Sequence, residues 1–107
     1  MENKIGYEQR AEVYSAALAT FGAEAQLIVA LEEMSELQKE ICKALRGQVH
    51  PAHIAEEIAD ATIMLEQVRR IFCIPEETVA DMMDKKIARL AFRIAAHKEM
   101  ESKHGKE

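Results

Sequence analysis

Tryptophan is absent from this chain, and cysteine, proline and glycine occur only two, two and four times in 107 residues. Each scarcity removes a class of protein. Cys42 and Cys73 have no CxxC or Cys/His spacing around them, so buried free thiols are favoured over a disulfide or a zinc site. No apolar run approaches the roughly 20 residues that span a bilayer. The opening residues, MENKIGYEQR, lack an apolar stretch followed by a small-residue cleavage site, so no secretory signal is expected and a cytoplasmic location follows. Positive charge is in the minority, with 14 Lys and Arg against 19 Asp and Glu and a net charge of −5. That balance is a poor fit to nucleic-acid binding. The imbalance is uneven: Lys85 to Glu107 carries +4, leaving −9 on the preceding residues. A basic C-terminal segment beside an acidic majority suits a small phosphorylated ligand. For the last ten residues a solvated helix end with lysines favoured by the macrodipole is the preferred reading.

What is present describes a folded helical domain. Hydrophobic residues make up 49% and charged residues 31%, ordinary for a globular chain and too apolar for disorder. The length suits one domain, 1–107, with about 98–107 as a polar tail. Gly22, Gly47 with Pro51, and Pro75 are the strong breakers between Tyr7 and that tail, and they punctuate the chain into four helices. Tyr7, Ala11, Tyr14, Leu18 and Phe21 recur at three- and four-residue spacing on the first, which ends near Gly22. The second runs from about Ala23 to Arg46 with a seam of Leu27, Leu31, Met34, Leu37 or Ile41, and Leu45. Pro51 suits the first turn of a third helix reaching about Phe72, with Ile54, Ile58, Ala61, Leu65, Val68 and Phe72 as its seam. Pro75 with Glu76 and Glu77 starts a fourth, whose apolar face is Val79, Met83, Ile87, Leu90 and Ile94. No strand alternation competes.

The fold expected is all-α and four-helix bundle-like. Its second and third helices, each about 35 Å long at about 1.5 Å per residue, form a long antiparallel central hairpin. Apolar residues on both sides of so long a hairpin are hard to cover from 107 residues, so a homodimer or homotetramer is expected to complete the bundle.

Two stretches repeat one acidic pattern. LEEMSEL holds Glu32, Glu33 and Glu36; AEEIADA holds Glu56, Glu57 and Asp60. Residues three or four apart stand over one another on a helix, so each triplet gathers carboxylates that repel. A divalent cation between two facing helices would relieve that repulsion. Glu32 and Glu36 lie opposite the apolar arc of their helix, which by itself says solvent. Glu57 and Asp60 share a stripe with Met64, Gln67 and Ile71, which says protein. Two readings therefore compete: a joint metal site, favoured because the spacing is matched, and a solvated acidic face on a non-catalytic helical oligomerisation or interaction protein.

An all-carboxylate set suits Mg²⁺, with Mn²⁺ as a substitute. Di-iron bundles bring Glu-x-x-His pairs, and here that spacing occurs only at Glu101 and His104 in the polar tail. His50 and His53 flank Pro51 and read as a turn and helix cap. Tyr7, Tyr14 and Phe21 read as core in preference to a stacking platform, so base preference is not legible.

LEEMSELQKE followed by AEEIADATIMLEQ resembles the MazG-like all-α nucleoside triphosphate pyrophosphohydrolases, whose signature is EExxE, a variable spacer, then ExxD. Twenty residues separate Glu36 from Glu57, and the resemblance is strongest from about Glu24 to Phe72. It implies Glu33, Glu36, Glu57 and Asp60 as Mg²⁺ ligands and Glu32 as the carboxylate that activates water. It implies cleavage between the α and β phosphates to a monophosphate and pyrophosphate, a house-cleaning role in the nucleotide pool, and Lys86 and Arg89 on the fourth helix as phosphate-binding groups. The chain departs from the family in having no asparagine between those two in DKKIARL. It also lacks the Tyr-His pair that the related phosphoribosyl-ATP pyrophosphatases place after the ExxD acid, which argues against that substrate.

Overall fold

The computed structural model describes residues 4–105, and within them the chain is all-helical. Four helices follow in order: α1 (Tyr7–Phe21), α2 (Ala23–Leu45), α3 (Pro51–Ile71) and α4 (Glu76–His104). They fall into two compact units, Met1–Cys73 and Ile74–Glu107. None of these helices is by itself long and apolar enough to cross a membrane.

The breakers act where their chemistry demands. Gly22 adopts φ +87°, a region that L side chains enter only with strain, and its amide donates to the Leu18 carbonyl at 2.9 Å. Gly47, at φ +89°, closes α2 with a pair of reversed bonds. Its amide donates to Ala44 O at 3.0 Å, and the Gln48 amide donates to Lys43 O at 2.9 Å. That is the Schellman pattern, which satisfies the last carbonyls of a helix. Pro51 takes the first turn of α3, where its missing N–H costs nothing. His50 is the N-cap residue there but makes no side-chain capping bond. Cys73 repeats the α2 ending without a glycine, at φ +54°.

In the first unit α2 and α3 form the principal packing pair and α1 packs on both. The buried apolar residues are Tyr14, Ala30, Ala61 and Met64, joined by the polar Gln26, Glu40 and Gln67. On α2 the buried or half-buried positions include Gln26, Ala30, Glu33, Leu37, Glu40 and Ala44; on α3 they include Ile54, Glu57, Ala61, Met64, Val68 and Ile71. Both sets step by alternating threes and fours, the spacing with which one helix seats side chains between those of another.

These inward faces keep part of the seams expected from hydrophobicity, Leu37 on α2 and Ile54, Ala61 and Val68 on α3, and correct the rest. Leu31, Leu45, Leu65 and Phe72 are 65%, 84%, 56% and 59% exposed, whereas the stripe carrying Glu57, Asp60, Met64, Gln67 and Ile71 turns inward. Periodicity finds the most apolar face of a helix; on α2 the packed face is more polar, carrying Gln26, Glu33 and Glu40, and on α3 it lies between the two stripes, with Ile54, Ala61 and Val68 beside Glu57 and Met64. On α1 the expected stripe packs only at its middle: Tyr14 is buried, Ala11 and Leu18 are half-buried, and Tyr7 and Phe21 are exposed.

The second unit contains the helix α4. Glu76 and Glu77 occupy its first turn and Lys103 and His104 its last, matching the macrodipole at both ends. Helix continues through Lys98 to His104, so this part of the expected polar tail is polar, exposed and helical; residues 106–107 lie outside the described residues. The expected apolar face, Val79, Met83, Ile87, Leu90 and Ile94, is exposed, as is every described residue of α4.

Candidate metal site

Glu33 lies among the inward positions of α2, and Glu57 and Asp60 lie one turn apart on α3. All three side chains are half-buried, and each offers a carboxylate oxygen within 4.8 Å of the others. Helix geometry explains the α3 pair, because residues three apart share a face. Bringing Glu33 to them depends on how α2 and α3 pack.

The electrostatics are those of anions forced together. The carboxyl of Glu33 is pushed above the ordinary carboxylate range, first by partial burial, then by the charges of Asp60 and Glu36, a hydrogen bond with Asp60 and the charge of Glu32. Glu57 is raised in the same direction by partial burial and then by Asp60, Glu33, Glu36 and Glu56. Burial and like charge both disfavour the ionised form, so they act together here. Lys39 binds Glu36 at 3.3 Å, Lys43 binds Glu40 at 3.2 Å and Arg69 binds Glu66 at 3.2 Å; these ion pairs engage neighbours of the cluster and not its three acids. Glu57 Oε2 is buried without a hydrogen-bond partner. A buried carboxylate oxygen with nothing to bind is costly, and a divalent cation would satisfy it. Three oxygen donors, no nitrogen or sulfur, and an orphaned acceptor fit a hard cation such as Mg²⁺.

The remaining expected residues divide clearly. Glu36 is exposed and paired with Lys39, yet its charge reaches both raised carboxyls. Glu32 is exposed and adds to the charge felt by Glu33; Glu56 is exposed and does the same to Glu57. Lys86 and Arg89 are exposed on α4 in the second unit. His50 and His53 lie near one another, with ring centroids 5.3 Å apart, at the start of α3. Sequence reasoning missed Glu40, a buried acid seven residues beyond Glu33 whose Oε2 also lacks a partner. The seven-residue spacing of Gln26, Glu33 and Glu40 was the available signal, and their polarity hid it.

No family model, curated protein or solved structure matches the chain.

Proposed function

We propose that the chain is a Mg²⁺-dependent nucleoside triphosphate pyrophosphohydrolase of the MazG-like kind. In this reading it cleaves the α–β phosphate bond of ribo- or deoxyribonucleoside triphosphates to a monophosphate and pyrophosphate, as a cytoplasmic house-cleaning enzyme of the nucleotide pool. The observation that carries the reading is the meeting of Glu33, Glu57 and Asp60 within 4.8 Å, from the two acidic motifs that resemble that family. Glu33, Glu57 and Asp60 would hold the cation, with Glu36, one turn from Glu33, as a fourth carboxylate. When bound, such an ion neutralises phosphate oxygens and lowers the pKa of a water. Glu32, exposed beside Glu33, is positioned in sequence to accept a proton from the attacking water as general base. Lys86 and Arg89 are assigned to the substrate phosphates on the resemblance alone.

The same proposal includes assembly. The open apolar positions on α2, α3 and α4 are what a homodimer or homotetramer built around an antiparallel α2–α3 hairpin would cover. A non-catalytic helical oligomerisation protein would use the same surfaces, so the cation response separates the two. Specific binding raises the melting temperature at constant ionic strength, whereas a solvated face responds to ionic strength alone.

The deciding experiment measures products from a panel of canonical and modified nucleoside triphosphates with Mg²⁺ or Mn²⁺. Monophosphate with pyrophosphate is expected. Orthophosphate with a diphosphate would overturn the assignment, and no release from any nucleotide would return the chain to the non-catalytic reading.

A further inference from the structure

We propose that the cationic amphipathic face of α4 docks on the acidic first unit of a second copy of the chain, each copy laying its fourth helix on the other. This rests on the assembly proposed above and names the contact that makes it.

Every described residue of α4 is exposed, yet a helix in a folded protein is held mainly by packing of one face. At about 100° per residue, Val79, Met83, Ile87, Leu90 and Ile94 share one arc. Lys85, Lys86, Arg89 and Arg93 fill the neighbouring arc, and Lys98 borders the other edge of the apolar one. From Lys85 to Lys98 there are five Lys or Arg and no Asp or Glu. The macrodipole does not explain this stripe, because its effect fades within the last turn and these residues all precede that turn. Ion pairs within the helix do not explain it either. His97 meets Glu101 at 3.1 Å and Lys103 meets Glu99 at 3.6 Å, whereas Lys85, Lys86, Arg89 and Arg93 have no ion-pair partner among the described residues.

A surface that covers such a face must be apolar along its centre and anionic beside it. Two copies of α4 set face to face would bring their cationic segments together, which like charge opposes. The first unit meets both needs. Met1–Cys73 carries 12 Asp and Glu against 7 Lys and Arg, a net −5 that matches the +5 of Lys85 to Lys98. On the outer face of α2, Ile28 and Leu31 are exposed beside Glu24, an apolar stripe with an acid at its edge. Reciprocal docking of this kind closes a two-fold dimer, in which each copy gives the other the contact it receives.

The test refolds ¹⁴N- and ¹⁵N-labelled full chains together and couples lysine to carboxylate with a zero-length carbodiimide before mass spectrometry. Lys85 or Lys86 is expected to link to an acid of Met1–Cys73 in pairs that hold one light and one heavy peptide. Arg93→Glu and Ile87→Ser, both at exposed positions, should each raise the dissociation constant of the assembly by roughly 10-fold or more. Added salt should raise the wild-type constant, since it screens exposed charge. Links confined to a single isotope would place α4 on its own chain, and mixed links confined to α4 with α4 would pair the helix with its copy; either result overturns the proposal. Binding of the chain to phosphatidylglycerol vesicles without mixed links would overturn it in favour of a lipid surface. An oligomer in light scattering whose affinity is unchanged in both variants would remove the α4 contact and leave assembly standing, whereas a monomer would remove assembly itself.

Discussion

Glu33 and Glu57 sit where packed helices ordinarily place Leu or Ile, and their raised carboxyls have a defined consequence for pH. A carboxyl that titrates higher in the folded chain than in the unfolded one binds more protons when folded, so its contribution favours folding at low pH. For these two groups that contribution is complete below the ordinary value of about 4.3 and is lost as pH rises through their raised values. Metal-free wild type should therefore lose stability relative to Glu57→Gln as pH rises from about 4 to 7, as urea midpoints would show; a relative gain would count against the clustered geometry. Saturating Mg²⁺ should reverse the loss, because the cation favours the ionised carboxylates. Glu36→Gln and Asp60→Asn should each remove metal affinity and nearly all activity, since the amide keeps the shape but not the charge. Glu32→Gln should lower kcat by roughly 100- to 10,000-fold with metal binding retained, the loss expected for a general base. Calorimetric titration of Mn²⁺ into the three variants, alongside turnover, checks this; wild-type rates in Glu36→Gln and Asp60→Asn would return the acids to the solvated-face reading.

Ala30 and Ala61 are the small buried residues of α2 and α3, and Met64 and Tyr14 are the large buried apolar ones. Met64 is 5% exposed, and Met64→Ala should cost about 2 to 5 kcal/mol, the range for buried methionine truncations; chemical denaturation would measure it. The end of α3 offers the opposite change. Cys73 holds φ +54°, a conformation that costs a non-glycine residue roughly 1 to 2 kcal/mol, partly offset in glycine by its larger entropy loss on folding. Cys73→Gly should therefore raise stability by up to about 1 kcal/mol, and a loss on denaturation would show that the thiol makes a contact outweighing the backbone gain. The two cysteines are exposed free thiols, in agreement with their isolated spacing but not with burial.

Exposed leucine, isoleucine and phenylalanine side chains stand on α2, α3 and α4, the kind of surface that protein–protein contact covers where it is contiguous. A further apolar cleft of about 600 Å³ lies between α1 and α3, with Ile5, Val13, Tyr14 and Ile63 among its lining residues. A helix of 29 residues with no buried position gains little from propensity alone, because helix stability in proteins comes mostly from packing. Light scattering at micromolar concentration should accordingly show a dimer or tetramer, with a melting temperature that falls on dilution. Leu65→Ser and Phe72→Ser should shift that equilibrium toward monomer; a monomeric wild type with a concentration-independent melting temperature would sink the assembly proposal.

Helix positions were legible in the sequence because they are set within a turn or two of chain. Gly22, Gly47, Pro51 and Pro75 forbid or favour particular backbone angles whatever surrounds them, and the end of α1, both ends of α2 and the starts of α3 and α4 lie beside them. The grouping of Glu57 with Asp60, Met64 and Gln67 was legible for the same reason, since one helix fixes its own stripes. That this stripe faces protein was legible as well, from Met64 and Ile71 on it; which face of α2 packs was not, because it depends on how a second helix meets the first. That is why Leu31 proved exposed while Gln26 and Glu40 proved buried. Tertiary packing alone brought Glu33 to Glu57 and Asp60 and closed Arg70 over Tyr14. Local propensity contains neither contact, since each joins side chains on different helices.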